Sequence, residues 1–413
     1  MTTLTAVSPG ELQAGVRDLP ERRLWRVRLA WVLLLMNVLT FYGQAAMVLP
    51  LPGVVGTLIT QSSLIGALVV ALSVNRPVRV RPTLFLVLLG LLPVQAMLTS
   101  ARAEFVLGAM FRSGRLALFV VVLWLLTPWW DRKDMLLVKT HLAALWVVLG
   151  TVLLGLVVSP GLAMTDGRLA GVIWPIPWTQ VGHYAAVAAG LSIILWLNGL
   201  LRRSVALVAV VVGVGMLLLS HTRTALIALV AGVLIAGLSL FLARARVRRA
   251  FGVGIGVLSG GAVTVSSAVV TWLARGQDAS QVGQLTGRTK VWDAVLAAPR
   301  TPLEIVFGSG LSDKSFNGLP IDSNWLATYN DLGLVGAAVD GLLVLFVLVA
   351  AAFRPPGTGR AIALFLAVYC LVASFTETNL SDATTYLLEL TLAASLVVTP
   401  NAHRFLTRGR VTS

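Results

Sequence analysis

From near the amino terminus, uncharged apolar runs alternate with short polar breaks almost to the end of the chain. The runs lie near 29–48, 54–73, 83–99, 106–127, 137–158, 181–198, 204–219, 223–242, 252–273, 324–352, 361–376 and 383–399. Each is close to the ~17–25 residues that a helix needs to cross the hydrocarbon core of a bilayer. The runs are continuous, not alternately apolar and polar, which excludes a membrane barrel. In lipid, only helices and closed barrels satisfy their own backbone. The pattern therefore predicts an all-α fold, a polytopic helical bundle of about twelve transmembrane helices over 29–399. Residues 1–28 form a cytoplasmic N-terminal segment and 400–413 a cytoplasmic tail. Pro9, Gly10 and Pro20 interrupt the polar start, and the first apolar run is long enough to span, so no cleavable signal peptide is expected.

The breaks carry the direction. Arg22, Arg23, Arg26 and Arg28, then Arg76, Arg79 and Arg81, Arg132 and Lys133, and Arg202 and Arg203 fall in every second break. Arg244, Arg246, Arg248 and Arg249, Arg354 and Arg360, and Arg404, Arg408 and Arg410 continue the register. Cytoplasmic loops are enriched in Lys and Arg, so both termini are expected inside a cell membrane. The long loops 159–180 and 274–323 are then extracytoplasmic.

Composition agrees. The 413 residues are 57% hydrophobic and 12% charged, with mean hydropathy +0.88, where a soluble domain carries about 25% charged residues. The net charge of +15 reflects basic loop flanks, so the expected partner is the lipid bilayer and no nucleic acid. Cys370, alone and inside an apolar run, reads as a small core residue.

Cations on the outer side run against the orientation bias. They are Arg168, Arg223, Arg288 and Lys290, with Arg102, Arg112 and Arg115 near the fourth run. Snorkelling to headgroups, or pairing with Asp166 or Asp293, accounts for any one of them. Arg223 is harder to place so, because an Arg opening an apolar span tends to face a cavity. Several guanidinium groups together suit a polyanion, since each offers a rigid fork of donors to phosphate oxygens. His221 and Asn324 complete the candidate binding set. Asp322 and Ser323 stand where the N-cap of the tenth span belongs. Asn330 and Asp331, about two turns further on, could line a polar crevice, and Gly333 and Gly336 permit close helix packing. No nucleotide-binding phosphate loop or metal-spaced His/Cys/Asp cluster is present, so neither a cofactor nor a metal is expected.

Together these segments resemble the O-antigen ligase and O-antigen polymerase family of bacterial surface-polysaccharide enzymes. Ser220-His221-Thr222-Arg223-Thr224 is similar to the family's Ser-x-Ser-Arg-Thr stretch. Thr286-Gly287-Arg288-Thr289-Lys290-Val291-Trp292 is similar to its Ser-Gly-Arg-x-x-x-Trp segment, and Gly308-Ser309-Gly310 to its Gly-x-Gly. Asp322 to Gly336 resembles the His-Asn-x(9)-Gly-x-x-Gly stretch, with Asp322-Ser323 in place of His-Asn. The resemblance covers about 160–340.

It implies a GT-C-like glycosyltransferase acting outside the cytoplasm. The donor is a polyprenyl-diphosphate-linked glycan held by Arg168, Arg223 and Arg288, and the acceptor is a hydroxyl of a glycan or glycolipid. Asp322 takes the place of the family's proposed base, and the catalytic set is Asp322, Arg288 and Arg223. Polymerase and ligase both fit. Two other readings stay open: a lipid-linked oligosaccharide flippase, and a non-catalytic glycan-lipid binding protein. The chain shows none of the internal repeats typical of transporters.

Overall fold

The computed structural model describes residues 21–41, 47, 48, 50–103, 105–132, 134–241, 243–250, 288–378 and 380–398. Among them the chain is a helical bundle with two short antiparallel hairpins. Its first helices are α1 (Glu21–Val38), α2 (Gly53–Val74), α3 (Leu84–Ser100), α4 (Val106–Leu125) and α5 (Leu136–Val158). The hairpin β1 (Met164–Thr165) and β2 (Arg168–Leu169) precedes α6 (Trp178–Leu197), α7 (Arg203–Leu219) and α8 (Arg223–Phe241). Then come α9 (Arg288–Ala297), α10 (Pro302–Phe307) and the hairpin β3 (Ser315–Phe316) and β4 (Leu319–Pro320). The chain closes with α11 (Asn324–Ala352), α12 (Thr358–Ala373) and α13 (Thr385–Val397).

Helices α2, α4, α5, α6, α8 and α11 are long and apolar enough to cross a membrane, and α3, α7, α12 and α13 are shorter apolar helices. The expected span at 252–273 lies outside the described residues. The first helix differs in its bounds. It begins at Glu21 and ends at Val38, so Arg26 and Arg28 belong to it. Val27, Ala30, Trp31, Leu34, Leu35 and Val38 are buried at helical spacing, which turns one face inward.

Helix α6 is the hub. Its apolar window is 83% buried, against 33–39% for the other five long apolar helices. Small residues let neighbours approach closely: a Cβ at Gly190 would collide with the Phe365 ring of α12, and one at Gly213 would lie 3.1 Å from Ala189. Cys370 is buried in α12, as expected of a core residue.

Loops segregate to two ends. At one, Asp131 N donates to Ser395 O at 2.8 Å, Arg246 to Trp196 O at 2.9 Å and Arg354 to Val397 O at 3.2 Å. At the other, Val48 N donates to Val172 O, Leu311 N to Ser100 Oγ and Asn324 N to Ser374 O. This second end carries the long loops.

Helix α11 is not one straight rod. A straight helix would hold Asn324 and Asp340 about 24 Å apart, yet the Asn324 amide donates to Asp340 Oδ2 at 2.9 Å and Thr328 Oγ1 donates to it at 2.8 Å. The chain reverses at Gly333 (φ 64, ψ −164), and Asn324–Leu332 lies back along the remainder of the helix. The break strips the carbonyls of Asn330, Asp331 and Leu332 of helical partners. Ser309 N takes the first at 3.2 Å, Gly310 N the second at 2.9 Å and the Gln95 amide the third. Gly308, also at positive φ, packs on the Asp331 backbone while Gly333 packs on Val306 and Phe307. The two glycine motifs of the sequence are the two sides of one joint.

Candidate functional site

That fold-back fixes Asp322, which sits partly buried two residues before Asn324. Arg288, the first residue of α9, donates from Nε to Asp322 Oδ2 at 3.0 Å. The partner is Asp322, not the nearby Asp293 considered for it. Ser323 occupies the N-cap position, but its side chain makes no capping bond, so simple capping does not account for this pair of residues.

Glu377, in the loop between α12 and α13, lies within electrostatic reach of both Arg288 and Asp322. Burial pushes its carboxyl up to about 7, with Arg288 opposing the shift and the Asp322 charge adding to it. Next to it, Thr376 Oγ1 meets Thr224 Oγ1 at 2.7 Å, which brings in the head of α8 and Arg223. Arg223 is within electrostatic reach of Arg168, and the Arg168 guanidinium lies 5.2 Å from the centroid of the Trp178 ring, a cation–π contact. The turn before α8 is pinned to α6 by Thr222 Oγ1, which donates to Trp178 O at 3.3 Å. His221 occupies that turn at φ 51, partly buried.

Arg168, Arg223, Arg288 and Asp322, scattered over the sequence, thus form a linked series at the long-loop end. Two guanidinium groups held against mutual repulsion favour an anion between or beside them. Asp322, paired with Arg288, is suited to hold an acceptor group. Glu377, whose proton affinity is matched to neutral pH, is suited to carry a proton.

A second part of this end is a cavity of about 810 Å³ lined by Arg112, Arg115, Ser309, Ser312, Asp313 and Asp382. Arg115 is held by Asp382 Oδ1 at 3.3 Å and Ala383 O at 2.9 Å. Asp313 accepts from the Ser315 hydroxyl at 2.6 Å, and this bond keeps its carboxyl below the usual range. A polar cavity of about 380 Å³ adjoins it, sharing Gln61 and Arg115 and reaching Thr378, Thr385 and Tyr386. Lys290 is exposed on α9, and Asn324 is fully buried. The Asn324 amide is engaged by Asp340 and by Leu380 N at 2.7 Å, so it braces the site from behind and does not face it. Asn330 and Asp331 are also enclosed, not crevice-lining. Lys314 Nζ donates to Asp331 Oδ2 at 2.6 Å and Ser312 Oγ to Oδ1 at 2.8 Å, while Arg300 donates to Asn330 Oδ1 at 2.8 Å.

Sequence reasoning passed over Glu377, Asp382, Lys314 and Arg300. For Glu377 a signal existed: it is an acid in a short break between two apolar runs, with no adjacent cation. The chain matches no protein-family model and no curated protein sequence.

Proposed function

We propose that the protein is a metal-independent glycosyltransferase working at the outer face of a cell membrane. It would move a polyprenyl-diphosphate-linked glycan onto an acceptor sugar hydroxyl, as a polysaccharide polymerase or ligase. In this reading the bundle is GT-C-like with about twelve spans, the basic-loop end and both termini are cytoplasmic, and the long-loop end faces outward. The observation that carries the reading is the Arg288–Asp322 pair beside Glu377, adjoining Arg223 and Arg168. A leaving diphosphate needs fixed positive charge, and an attacking hydroxyl needs a proton acceptor; this arrangement offers both.

The donor diphosphate lies against Arg168 and Arg223, with Arg288 completing the contact. The acceptor oxygen, oriented by Asp322, attacks the anomeric carbon, and the bond from that carbon to the diphosphate breaks. The hydroxyl proton passes to the ionised Glu377 carboxylate, or to Asp322. The arginines stabilise negative charge that builds on the departing oxygen. Arg112, Arg115 and Lys290 would contact the glycan beyond the reacting sugars, and His221 would hold the turn that presents Arg223.

The test is glycan extension or attachment in membranes carrying Arg223→Ala, Arg288→Ala or Asp322→Ala. Each is expected to abolish transfer while insertion is normal, and retained activity in all three overturns the reading. Surface glycan from a deletion strain separates the two variants. Single repeat units identify a polymerase, and full-length chains left on carrier lipid identify a ligase.

A further inference from the structure

Three ionisable side chains outside this site meet inside the bundle. His141 of α5, His183 of α6 and Glu389 of α13 are all fully buried. Both imidazoles aim Nε2 at the same carboxylate oxygen, Glu389 Oε1, at 3.6 Å from His141 and 3.2 Å from His183. The far side of each ring is already engaged. Trp31 Nε1 donates to His141 Nδ1 at 3.4 Å, and the Tyr369 hydroxyl lies 3.1 Å from His183 Nδ1. An indole N–H can only donate, so His141 Nδ1 is an acceptor and a neutral ring carries its proton on Nε2, toward Glu389. Neither Nε2 nor either Glu389 oxygen makes a well-directed hydrogen bond. The polar atoms converge without saturating one another.

Charge balance defines what is missing. With both rings neutral and Glu389 ionised, the three side chains carry one net negative charge in the apolar interior, which lipid-embedded proteins avoid. The ion-pair partners of Glu389 among the described residues are these two imidazoles. The other titratable groups facing the cluster are Tyr184 of α6, Tyr369 and Cys370 of α12 and Tyr386 of α13, all uncharged in their ordinary state. From α1, Trp31 contacts it. No group of three or more His, Cys, Asp or Glu among the described residues is arranged to hold a metal ion. One proton balances the charge.

Aromatic side chains connect the cluster with the long-loop end. The Tyr386 ring stacks on His183 with centroids 4.0 Å apart, and Tyr369 packs against both. Tyr386 also lines the cavity of about 380 Å³, and both tyrosines lie within electrostatic reach of Glu377.

We propose that His141, His183 and Glu389 form an intramembrane proton-binding site that exchanges one proton with the long-loop cavity through Tyr386 and Tyr369. Loading forms one N–H or O–H bond in the cluster and breaks one O–H bond in the donor, a hydronium ion or a carboxylic acid. The net charge of the three side chains goes from −1 to 0, with no change of oxidation state. The proposal stands apart from the glycosyl-transfer reading, and so does its test.

The chain has four histidines, so ¹⁵N-imidazole NMR of the full-length protein in lipid nanodiscs can be assigned residue by residue. Over a pH titration, His141 and His183 are expected to shift together in one shared step. Glu389→Gln is expected to remove the shared step, and Tyr386→Phe to slow its approach to equilibrium after a pH jump. Rings that keep one charge state and one tautomer throughout overturn the proposal, as does a shared step unchanged in Glu389→Gln. The wild-type titration decides by itself if that variant does not fold.

Discussion

Asn324 and Asp340, 16 positions apart in what reads as a single apolar span, are joined by a hydrogen bond of 2.9 Å. The contact exists because Gly333 turns the chain back, in a backbone region that costs other residues about 1–3 kcal/mol. A Cβ there would also lie 2.5 Å from the backbone of Val306 and Phe307. Gly333→Ala is therefore expected to lower stability by about 2 kcal/mol or more, seen as a lower Tm in detergent. Gly114→Ala, inside α4 with nothing within 4 Å, is the control. It is expected to be neutral or to raise stability by up to about 1 kcal/mol.

Lys314 and Asp331 hold the same joint by charge. Asp331 is fully buried, and the Lys314 side chain is only 13% exposed. Lys314→Met strands a buried carboxylate, a change that costs about 3–5 kcal/mol in comparable pairs. Arg132→Ala breaks a pair of 2.8 Å with Asp134, whose side chain is 43% exposed, and exposed pairs contribute about 0–1 kcal/mol. Thermal denaturation followed by near-ultraviolet circular dichroism should separate the two variants clearly.

The Arg288–Asp322 pair predicts a graded effect on transfer. Asp322→Asn keeps the shape but removes the charge that accepts from Arg288, and is expected to slow transfer by about 100-fold or more, the usual scale for losing a proton-handling group. Arg288→Lys keeps the charge but loses the planar fork, so an intermediate rate is expected. Initial rates in isolated membranes check both.

Glu377 ties stability to pH, and the proposed activity with it. Its folded-state carboxyl is raised from 4.5 to about 7, so the folded protein binds this proton more tightly than the unfolded chain. The stability it adds is complete below 4.5 and fades as pH rises to about 7. Glu377→Gln should flatten the fall of Tm with pH in that window. If Glu377 accepts the acceptor proton, transfer in the wild type rises through about pH 7 and the variant loses that rise. A pH–rate profile unchanged in Glu377→Gln assigns the proton to Asp322 instead.

Hydrophobic runs and basic breaks, read along the chain, were sufficient to predict a helical membrane bundle, because apolar length and loop charge are local quantities. The segregation of loops to two ends follows from the same alternation. Arg223 and Arg288 were also visible, as cations on the side opposite the basic loops, and Asp322 as an acid at the head of the tenth span. Tertiary structure decided the rest. Whether Asp322 pairs with Arg288, 34 positions away, and whether Asn324 faces a ligand or braces a wall, depend on Gly333 reversing the chain, and a glycine in an apolar run does not announce its φ. The meeting of His141, His183 and Glu389 is equally invisible in sequence. Their separations follow no local period, and only the packing of the bundle brings the three side chains to a single point.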